Sequence, residues 1–254
     1  MLDFQNNSPS NVSPSNGPHP PLPLLPLNDF FLCASLESIC AQACENCNLG
    51  IPRSATITPC HDLLNQWYVS YEPQVYDRSN WSCLKILWHS IYIMLYTNLN
   101  ALECACGRDG FELAQDQIPF VNEWIHSTNA KRCVLHAVLI QQEFESLPVG
   151  MNLPIYVPMC LYYCGLIWSC FMCFGDDQNI DAITAVDHRQ FAELCLHGLD
   201  DSIYLSQMGE LRPHGLATSS ILRIINLLQR IHHWKISQSL ASTLLALVEN
   251  KHGL

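Results

Sequence analysis

The segment LPIYVPMCLYYCGLIWSCFMCFG at residues 153–175 constrains the fold more than any other part of the sequence, because none of its 23 side chains is charged. A stretch of this kind either crosses a membrane or lies in the core of a folded domain. Pro154 and Pro158 place the expected helix start at about Pro158, since proline is tolerated in the first turn of a helix and not in its interior. About 17 residues then remain, or roughly 25 Å, which is short for a hydrocarbon layer of about 30 Å.

The residues that flank this segment also argue against a membrane. Asp176 and Asp177 follow it directly, and the nearest basic residues are Arg132 and Arg189. A membrane helix is usually oriented by Lys and Arg close to one of its ends. We therefore predict a buried core helix here, and a membrane span near 153–175 is the alternative.

A second apolar stretch predicts a long central helix from about Cys83 to Cys106, roughly 36 Å in length. Its apolar residues recur at spacings of three and four, as Leu84, Leu87, Trp88, Ile91, Leu95, Leu99 and Leu102. Lys85 and Glu103 are its only charged residues. We therefore expect other helices to cover most of its circumference.

Further helices are predicted on both sides of residue 127. One runs from about 110 to 125 and is expected to be kinked or restarted at Pro119. The next begins in STNAKRCVLHAVLIQQEF, with Thr128 or Asn129 as its N-cap. Two amphipathic segments close the chain, SSILRIINLLQRI after Thr218 and SQSLASTLLALVENK after Ile236, each with a Ser or Thr start signal.

The helix that begins near Thr128 carries its charges against the helix dipole. Lys131 and Arg132 lie near its start, and Glu143 and Glu145 lie near its end. The sequence alone offers no reason for this arrangement.

These patterns together predict an all-α, multi-helical domain at residues 29–254, because alternating runs of β-branched residues are few. Residues 1–28 are rich in Pro, Ser and Asn and carry one charge. Such a composition cannot bury enough apolar surface to become ordered, so a disordered linker is predicted there.

The charge balance argues against nucleic-acid binding by this chain itself. The formal net charge is −11, and the longest run of basic residues is the pair Lys131 and Arg132. DNA binding needs a basic surface that displaces counterions from phosphates, and a nuclear import signal needs a Lys/Arg-rich run.

The chain has fourteen cysteines, which could indicate secretion. Residues 1–28, however, lack a basic leader and an uninterrupted apolar run, so no signal peptide is expected. Most cysteines fall within apolar helical patterns, where a free thiol behaves as a small hydrophobe. We predict a reducing compartment and few or no disulfides.

The nearest approach to a zinc motif is CAQACENC with the following Cys60 and His61. Cys40, Cys44 and Cys47 are four and three residues apart, which puts their thiols on one face of a helix. A zinc finger would need another ligand three to five residues after His61, and DLLNQWYV follows instead. Packing is therefore favoured over metal binding.

Two other groups contain cysteines that could in principle take part in chemistry. The thiols of residues 160, 164, 170 and 173 would extend over roughly 20 Å of helix, so they cannot close on one ion. Cys133 and His136 share a helical face and could in principle form a nucleophile and base, but no oxyanion hole or orienting carboxylate accompanies them. His89, His232 and His233 are likewise expected to be packed or solvated. No catalytic, cofactor-binding or metal-binding residue is predicted.

The stretch ECACGRDG at residues 103–110 predicts a corner between two helices. Its two cysteines would face opposite ways on a helix, which excludes a shared metal. Gly107 is expected to end the first helix, with Arg108 placing a cation at its carbonyl end. Asp109 is expected to cap the second helix, with Glu112 completing a capping box, so Asp109→Ala should lower stability.

Several blocks resemble the C-terminal regulatory region of fungal-specific transcription factors, the xylanolytic-activator type: LWHSIYIMLYTNLNALECACGRDG, VNEWIHST, AKRCVLHAVLIQQEFESLPVG, IYVPMCLYYCGLIW and LLQRIHHWKISQSLASTLLALV. Leu-Trp-His, Gly-Arg-Asp-Gly and Arg-Cys-x-x-His-Ala carry the match, which covers about Cys60 to Gly253. The similarity is greatest to proteins that have Cys-Cys-His-His zinc fingers near their N-terminus.

The resemblance implies an all-α domain that regulates transcription by RNA polymerase II in the nucleus, without enzymatic chemistry. Its expected partners are transcriptional co-regulators, the DNA-binding module of a longer chain, or a second copy in a homodimer; a membrane is not expected. DNA and zinc binding belong to the family's zinc finger, which this chain lacks, so we expect a truncated product or a fragment of a longer factor. The alternatives are an integral membrane protein and a zinc- or cysteine-dependent protein.

Overall fold

The computed structural model describes residues 29–48, 53–72, 78–176, 188–196, 213–231 and 234–249. Within these ranges 86% of the residues are helical and none is in a strand, which confirms the predicted all-α class. The linker predicted at residues 1–28, and His232 with His233, lie outside the described residues.

Ten α-helices and one short 3₁₀ turn make up the described part of the chain. The helices are α1 (Asp29–Asn48), α2 (Arg53–Tyr71), α3 (Arg78–Tyr96), α4 (Leu99–Ala105), α5 (Phe111–Ile125), α6 (Thr128–Ser146), α7 (Val157–Phe174), α8 (Ala192–Leu196), α9 (Pro213–Arg230) and α10 (Lys235–Glu249). The 3₁₀ turn, His188–Gln190, precedes α8. All ten helices contribute buried residues to one continuous hydrophobic core.

The apolar helix α7 lies at the centre of this core. Helices α6, α9 and α10 pack around it, and α3, α4 and α5 also contact it. On the α10 side the approach is close, because a Cβ atom added at Gly165 would clash with the side chain of Leu244. The other main pairs are α3 with α6, α9 with α10, α4 with α5, and α1 with α2.

The burial predicted for the uncharged segment 153–175 is observed. Its helix begins at Val157, with Pro158 in the first turn, and 78% of its 18 residues are buried inside the protein. Among the described helices it is the one whose length and hydropathy would also suit a membrane crossing.

The prediction of one helix from Cys83 to Cys106 is wrong, because the chain breaks between α3 and α4. The backbone of Asn98 is extended (φ −95°, ψ 91°), and its side-chain oxygen accepts a hydrogen bond from the N–H of Ala101 at 3.2 Å. Asparagine competes with helical hydrogen bonding in this way and serves as an N-cap. The apolar periodicity continues across the break, so the sequence pattern did not indicate that a new helix, α4, begins there.

The structure excludes one of the two alternatives predicted for α5, the restart, and corrects the predicted start of α6. Helix α5 continues without a restart across Pro119, where its second half is anchored by the buried Val121 and Trp124. The N-cap of α6 is Ser127, whose Oγ accepts from the N–H of Ala130 at 3.1 Å. Thr128 and Asn129, the predicted caps, are therefore already in the first turn.

The last two helices begin earlier than their Ser and Thr signals suggested, at Pro213 and Lys235. Leu216 and Ala217 are buried, so the core-facing stripe of α9 starts before Thr218. Ser237 is fully buried inside α10, so it packs against the core and does not mark the start of the helix.

Candidate functional site

A fully buried carboxylate, that of Glu193 in α8, is the most unusual polar group of the described structure. Three basic side chains surround it: Arg132 Nε lies 2.8 Å from Oε1, His61 Nε2 lies 3.3 Å from Oε2, and His136 Nε2 lies 3.6 Å from Oε1. A fourth side chain, His89, contacts His136. We call these five residues the Glu193 cluster.

The cluster connects four helices that are far apart in sequence. Helix α2 supplies His61, α3 supplies His89, α6 supplies Arg132 and His136, and α8 supplies Glu193. The two residues from α6 are four positions apart and therefore lie on the same side of the helix. The short α8 is thus held against the interior by charge as well as by the buried side chain of Leu194.

Arg132 is held on its other side by aromatic rings. Its guanidinium carbon lies 4.0 Å from the ring centre of Tyr96 and 4.7 Å from that of Phe191. A cation over an aromatic face is attracted by the ring quadrupole, most strongly where water is excluded. The contact between Arg132 Nε and Glu193 is a close ion pair, although its N–H does not point along the line of a hydrogen bond.

Two of the three imidazoles in the cluster contact each other directly. Nδ1 of His89 and Nδ1 of His136 are 2.8 Å apart, so one of them must be protonated and the other must accept. A proton on Nε2 of His136 faces the Glu193 carboxylate, so we assign Nδ1 of His89 as the donor. Tyr92 stacks on His136 with ring centres 4.7 Å apart and an angle of 7°, which fixes the plane of the imidazole.

The pKa values in the cluster follow from burial and charge. Burial alone would raise the pKa of Glu193, but its contacts with His136 and His61 and the charge of Arg132 hold that pKa well below the ordinary value. Burial lowers the pKa of His136, and the opposing effect of Glu193 does not restore it. The cluster at neutral pH is therefore an ionised carboxylate paired with a guanidinium, beside a neutral His136.

The cluster explains part of the charge pattern of α6. Arg132 lies near the helix start, against the dipole, because its partner is Glu193. Near the other end Glu143 pairs with Lys85, and Glu145 accepts from Nε of Arg223 at 2.6 Å. Tertiary ion pairs therefore override the dipole preference, which contributes less than about 1 kcal/mol at exposed sites.

The residue types of the cluster suit metal binding, but their arrangement suits an ion pair. Two imidazoles and a carboxylate can ligate a transition metal. Here the guanidinium of Arg132 already provides the positive charge next to Glu193. No group of three potential ligands among the described residues is arranged to hold a metal ion.

The described residues of the zinc-like motif are not arranged to hold a common metal ion. Sγ of Cys40 lies 4.0 Å from Sδ of Met94, Cys60 is buried in the core, and His61 faces Glu193. Cys44 is exposed. The side chain of Cys47 lies outside the described residues.

The cysteines of α7 also have separate environments. Sγ of Cys164 donates to the carbonyl of Cys160, while Sγ of Cys170 lies 3.7 Å from Sγ of Cys106, the C-cap residue of α4. All thirteen cysteines that the structure describes are free thiols.

The Cys133 and His136 pair is not arranged for nucleophilic catalysis. Sγ of Cys133 points to the carbonyl of Ile93 at 3.9 Å. His136 has one nitrogen against His89 and the other toward Glu193.

The prediction for the corner at residues 103–110 is confirmed for the end of α4 and wrong for the start of α5. Gly107 has φ 94°, its N–H donates to the carbonyl of Cys104 at 2.9 Å, and the N–H of Arg108 donates to that of Glu103 at 3.1 Å. These two bonds form a Schellman motif, which confirms the predicted end of α4.

The predicted cap of α5 by Asp109 is wrong. The N-cap is Gly110, and no side chain bonds to the first turn. Nε of Arg108 donates to both oxygens of Asp109, at 3.1 and 3.0 Å, so the carboxylate faces its neighbouring cation. The hydrogen bonds from Arg108, together with its positive charge, hold the pKa of Asp109 below its ordinary value.

Sequence reasoning missed the Glu193 cluster. The signal that could have found it is the pair Arg132 and His136, which lies on a face of α6 with Cys133 and Ala137 as apolar neighbours. A buried cation needs a buried anion. Nothing local identifies Glu193 as that anion.

The chain was compared with models of protein families, with curated proteins and with solved structures, and none of them matches it.

Proposed function

We propose that this chain is the regulatory domain of a fungal-specific transcription factor, which acts in the nucleus on transcription by RNA polymerase II through protein contacts. In this proposal, DNA and zinc are bound by a zinc finger elsewhere in the factor. The partners are co-regulators or that DNA-binding module, and the domain performs no catalysis of its own.

One observation carries the proposal. The Leu-Trp-His block, residues 87–89, and the Arg-Cys-x-x-His-Ala block, residues 132–137, carried the resemblance to this family. Both blocks supply the Glu193 cluster, through His89 on one side and through Arg132 and His136 on the other. Motifs that meet in one buried cluster are expected where the shared property is a fold and its packing.

The net charge of the chain supports the same function. A formal net charge of −11 does not suit direct contact with DNA phosphates, and it suits a domain that acts through other proteins.

The test is a tethering experiment. The full chain is fused to a heterologous DNA-binding module that has its own nuclear import signal, and it is expressed in a yeast with two reporters. One reporter has a minimal promoter and detects activation, and the other has an upstream activator and detects repression. We expect a several-fold change in one of the two.

Two matched variants separate a folded effect from a nonspecific one. Glu193→Gln neutralises the buried carboxylate and should abolish the reporter change at matched abundance. Glu123→Gln makes the same substitution on the exposed face of α5 and should leave it intact. A fusion that is abundant in the nucleus and changes neither reporter would refute the proposal.

A further inference from the structure

A cavity of about 430 Å³ lies between the C-terminal part of α1, the N-terminal part of α2 and the end of α3. Its inner wall is formed by Ile91, Met94 and Leu95, and its outer wall by Cys40, Ala43 and Ile57. The break between α3 and α4, residues 97–100, closes one end. Pockets for small molecules are usually about 300–1,000 Å³ in volume, so this cavity is large enough for one.

The described residues in the walls of the cavity carry no charge. None of those that line it is Asp, Glu, Lys, Arg or His. Burial raises the pKa of Cys40 to about 12, and the neighbouring Cys44 and Glu37 add to the rise, so this thiol is neutral at physiological pH. A charged ligand would lose its hydration here without gaining a counter-ion.

One polar group in the wall lacks a partner among the described residues. Thr56 is 2% exposed, lines the cavity, and its Oγ1 makes no hydrogen bond within the described part of the chain. A buried hydroxyl without a partner is unfavourable, and a ligand that supplies a hydrogen bond would relieve this cost. The amide oxygens at the break are engaged, since Asn98 caps α4 and Asn100 accepts from Arg108.

We propose that this cavity binds a small, uncharged and largely apolar molecule that has one hydroxyl or carbonyl group, which pairs with Thr56. The binding itself does not depend on the regulatory function. Its biological meaning, as the effector of a transcriptional regulator, rests on the function proposed above.

The experiment uses the purified full chain and three probes of equal length, 1-decanol, decanoate and decylammonium, in isothermal titration calorimetry. We expect 1-decanol to bind, and both charged probes to bind at least about tenfold more weakly because of the uncompensated charge. Equal binding of all three would overturn the proposal, as would the absence of 1-decanol binding up to its solubility limit.

Two pairs of variants test the location. Ala43→Phe fills the cavity and should abolish 1-decanol binding, while Ala246→Phe makes the same change on the exposed face of α10 and should not. Thr56→Val keeps the shape and removes the hydroxyl, so it should weaken binding about fivefold to tenfold, and Thr56→Ser should restore most of it. Unchanged binding in Ala43→Phe, with an unchanged circular dichroism spectrum, would place the ligand elsewhere.

Thiol labelling gives an independent readout within the same protein. Cys44 lines the cavity and is exposed, and Cys195 is exposed outside it. We expect 1-decanol to slow the reaction of Cys44 with N-ethylmaleimide several-fold and to leave Cys195 unchanged. Equal slowing of both would indicate a nonspecific effect and would contradict the proposed site. The reporter assay tests the regulatory function without any ligand, so either proposal can fail alone.

Discussion

The Glu193 cluster and the corner between α4 and α5 both pair an arginine with a carboxylate. The pair at the corner is exposed to water, and the pair in the cluster is buried. At the corner the side chains of Arg108 and Asp109 are 41% and 39% exposed, whereas in the cluster those of Arg132 and Glu193 are 16% and 0% exposed. Water can replace either partner of the first pair and neither partner of the second. The same contact is therefore incidental at the corner and essential in the cluster.

The largest effect is expected from Glu193→Gln. This change leaves the guanidinium of Arg132 in the interior without its anion, and removing one partner of a buried pair typically costs about 3 kcal/mol or more. Urea denaturation followed by tryptophan fluorescence measures the loss. Glu123→Gln serves as the exposed control, and a loss no larger than that of the control would show that the cluster is not a stabilising pair.

The next effect is a pH dependence that the cluster has and the corner lacks near neutral pH. The pKa of His136 is lowered in the folded protein, so the unfolded chain binds the proton first as the pH falls below about 6.5. The contribution of His136 to the free energy of unfolding should therefore be fully present above that pH. The free energy of unfolding should decrease toward pH 5, by at most about 1.4 kcal/mol per pH unit for one proton. Below about pH 4.5 the lowered pKa of Glu193 adds a second loss of the same sign.

The measurement is the free energy of unfolding from pH 8 to pH 5 for the wild type and for His136→Gln. Because glutamine does not titrate, the variant should have a shallower slope than the wild type. Parallel curves would contradict the assignment of a neutral His136.

A smaller effect is expected at the corner, from Gly107→Ala. The residue has φ 94°, which an L side chain rarely adopts, and no atom would contact the added Cβ. The cost is therefore conformational, about 1 kcal/mol. Ala105→Gly is the reverse substitution at a residue with helical backbone in the last turn of α4, and it serves as the comparison. A melting temperature unchanged by Gly107→Ala would argue against the Schellman motif.

The smallest effect is expected from Asp109→Ala. Its carboxylate is exposed, pairs with the adjacent Arg108, and does not cap α5. The denaturation midpoint should therefore not change measurably. A clear loss of stability would restore the capping role that the sequence predicted.

Features of the fold that depend on neighbouring residues could be predicted from the sequence. The end of α4 was predictable because the signal, Gly107 after the last apolar position, is local. The all-α class was predictable for the same reason, since apolar periodicity is a property of neighbouring residues. The break at Asn98 was missed because the apolar periodicity continued across it.

The cluster could not be predicted in the same way. Along the chain His61 lies 71 positions before Arg132, and Arg132 lies 61 positions before Glu193. Their contact depends on how α2, α6 and α8 pack. Each residue alone is compatible with a solvated position. The cavity has the same character, because its walls come from three helices and its existence depends on their relative placement.

The most direct test of the difference between the two regions is a pair of double-mutant cycles. One combines Glu193→Gln with Arg132→Met, and the other combines Asp109→Asn with Arg108→Met. We expect a coupling of about 2 kcal/mol in the first cycle, because losing both charges together avoids a lone buried one, and no measurable coupling in the second. Additive effects in the first cycle, or equal coupling in both, would contradict the claim that burial makes the Glu193 pair essential to the fold.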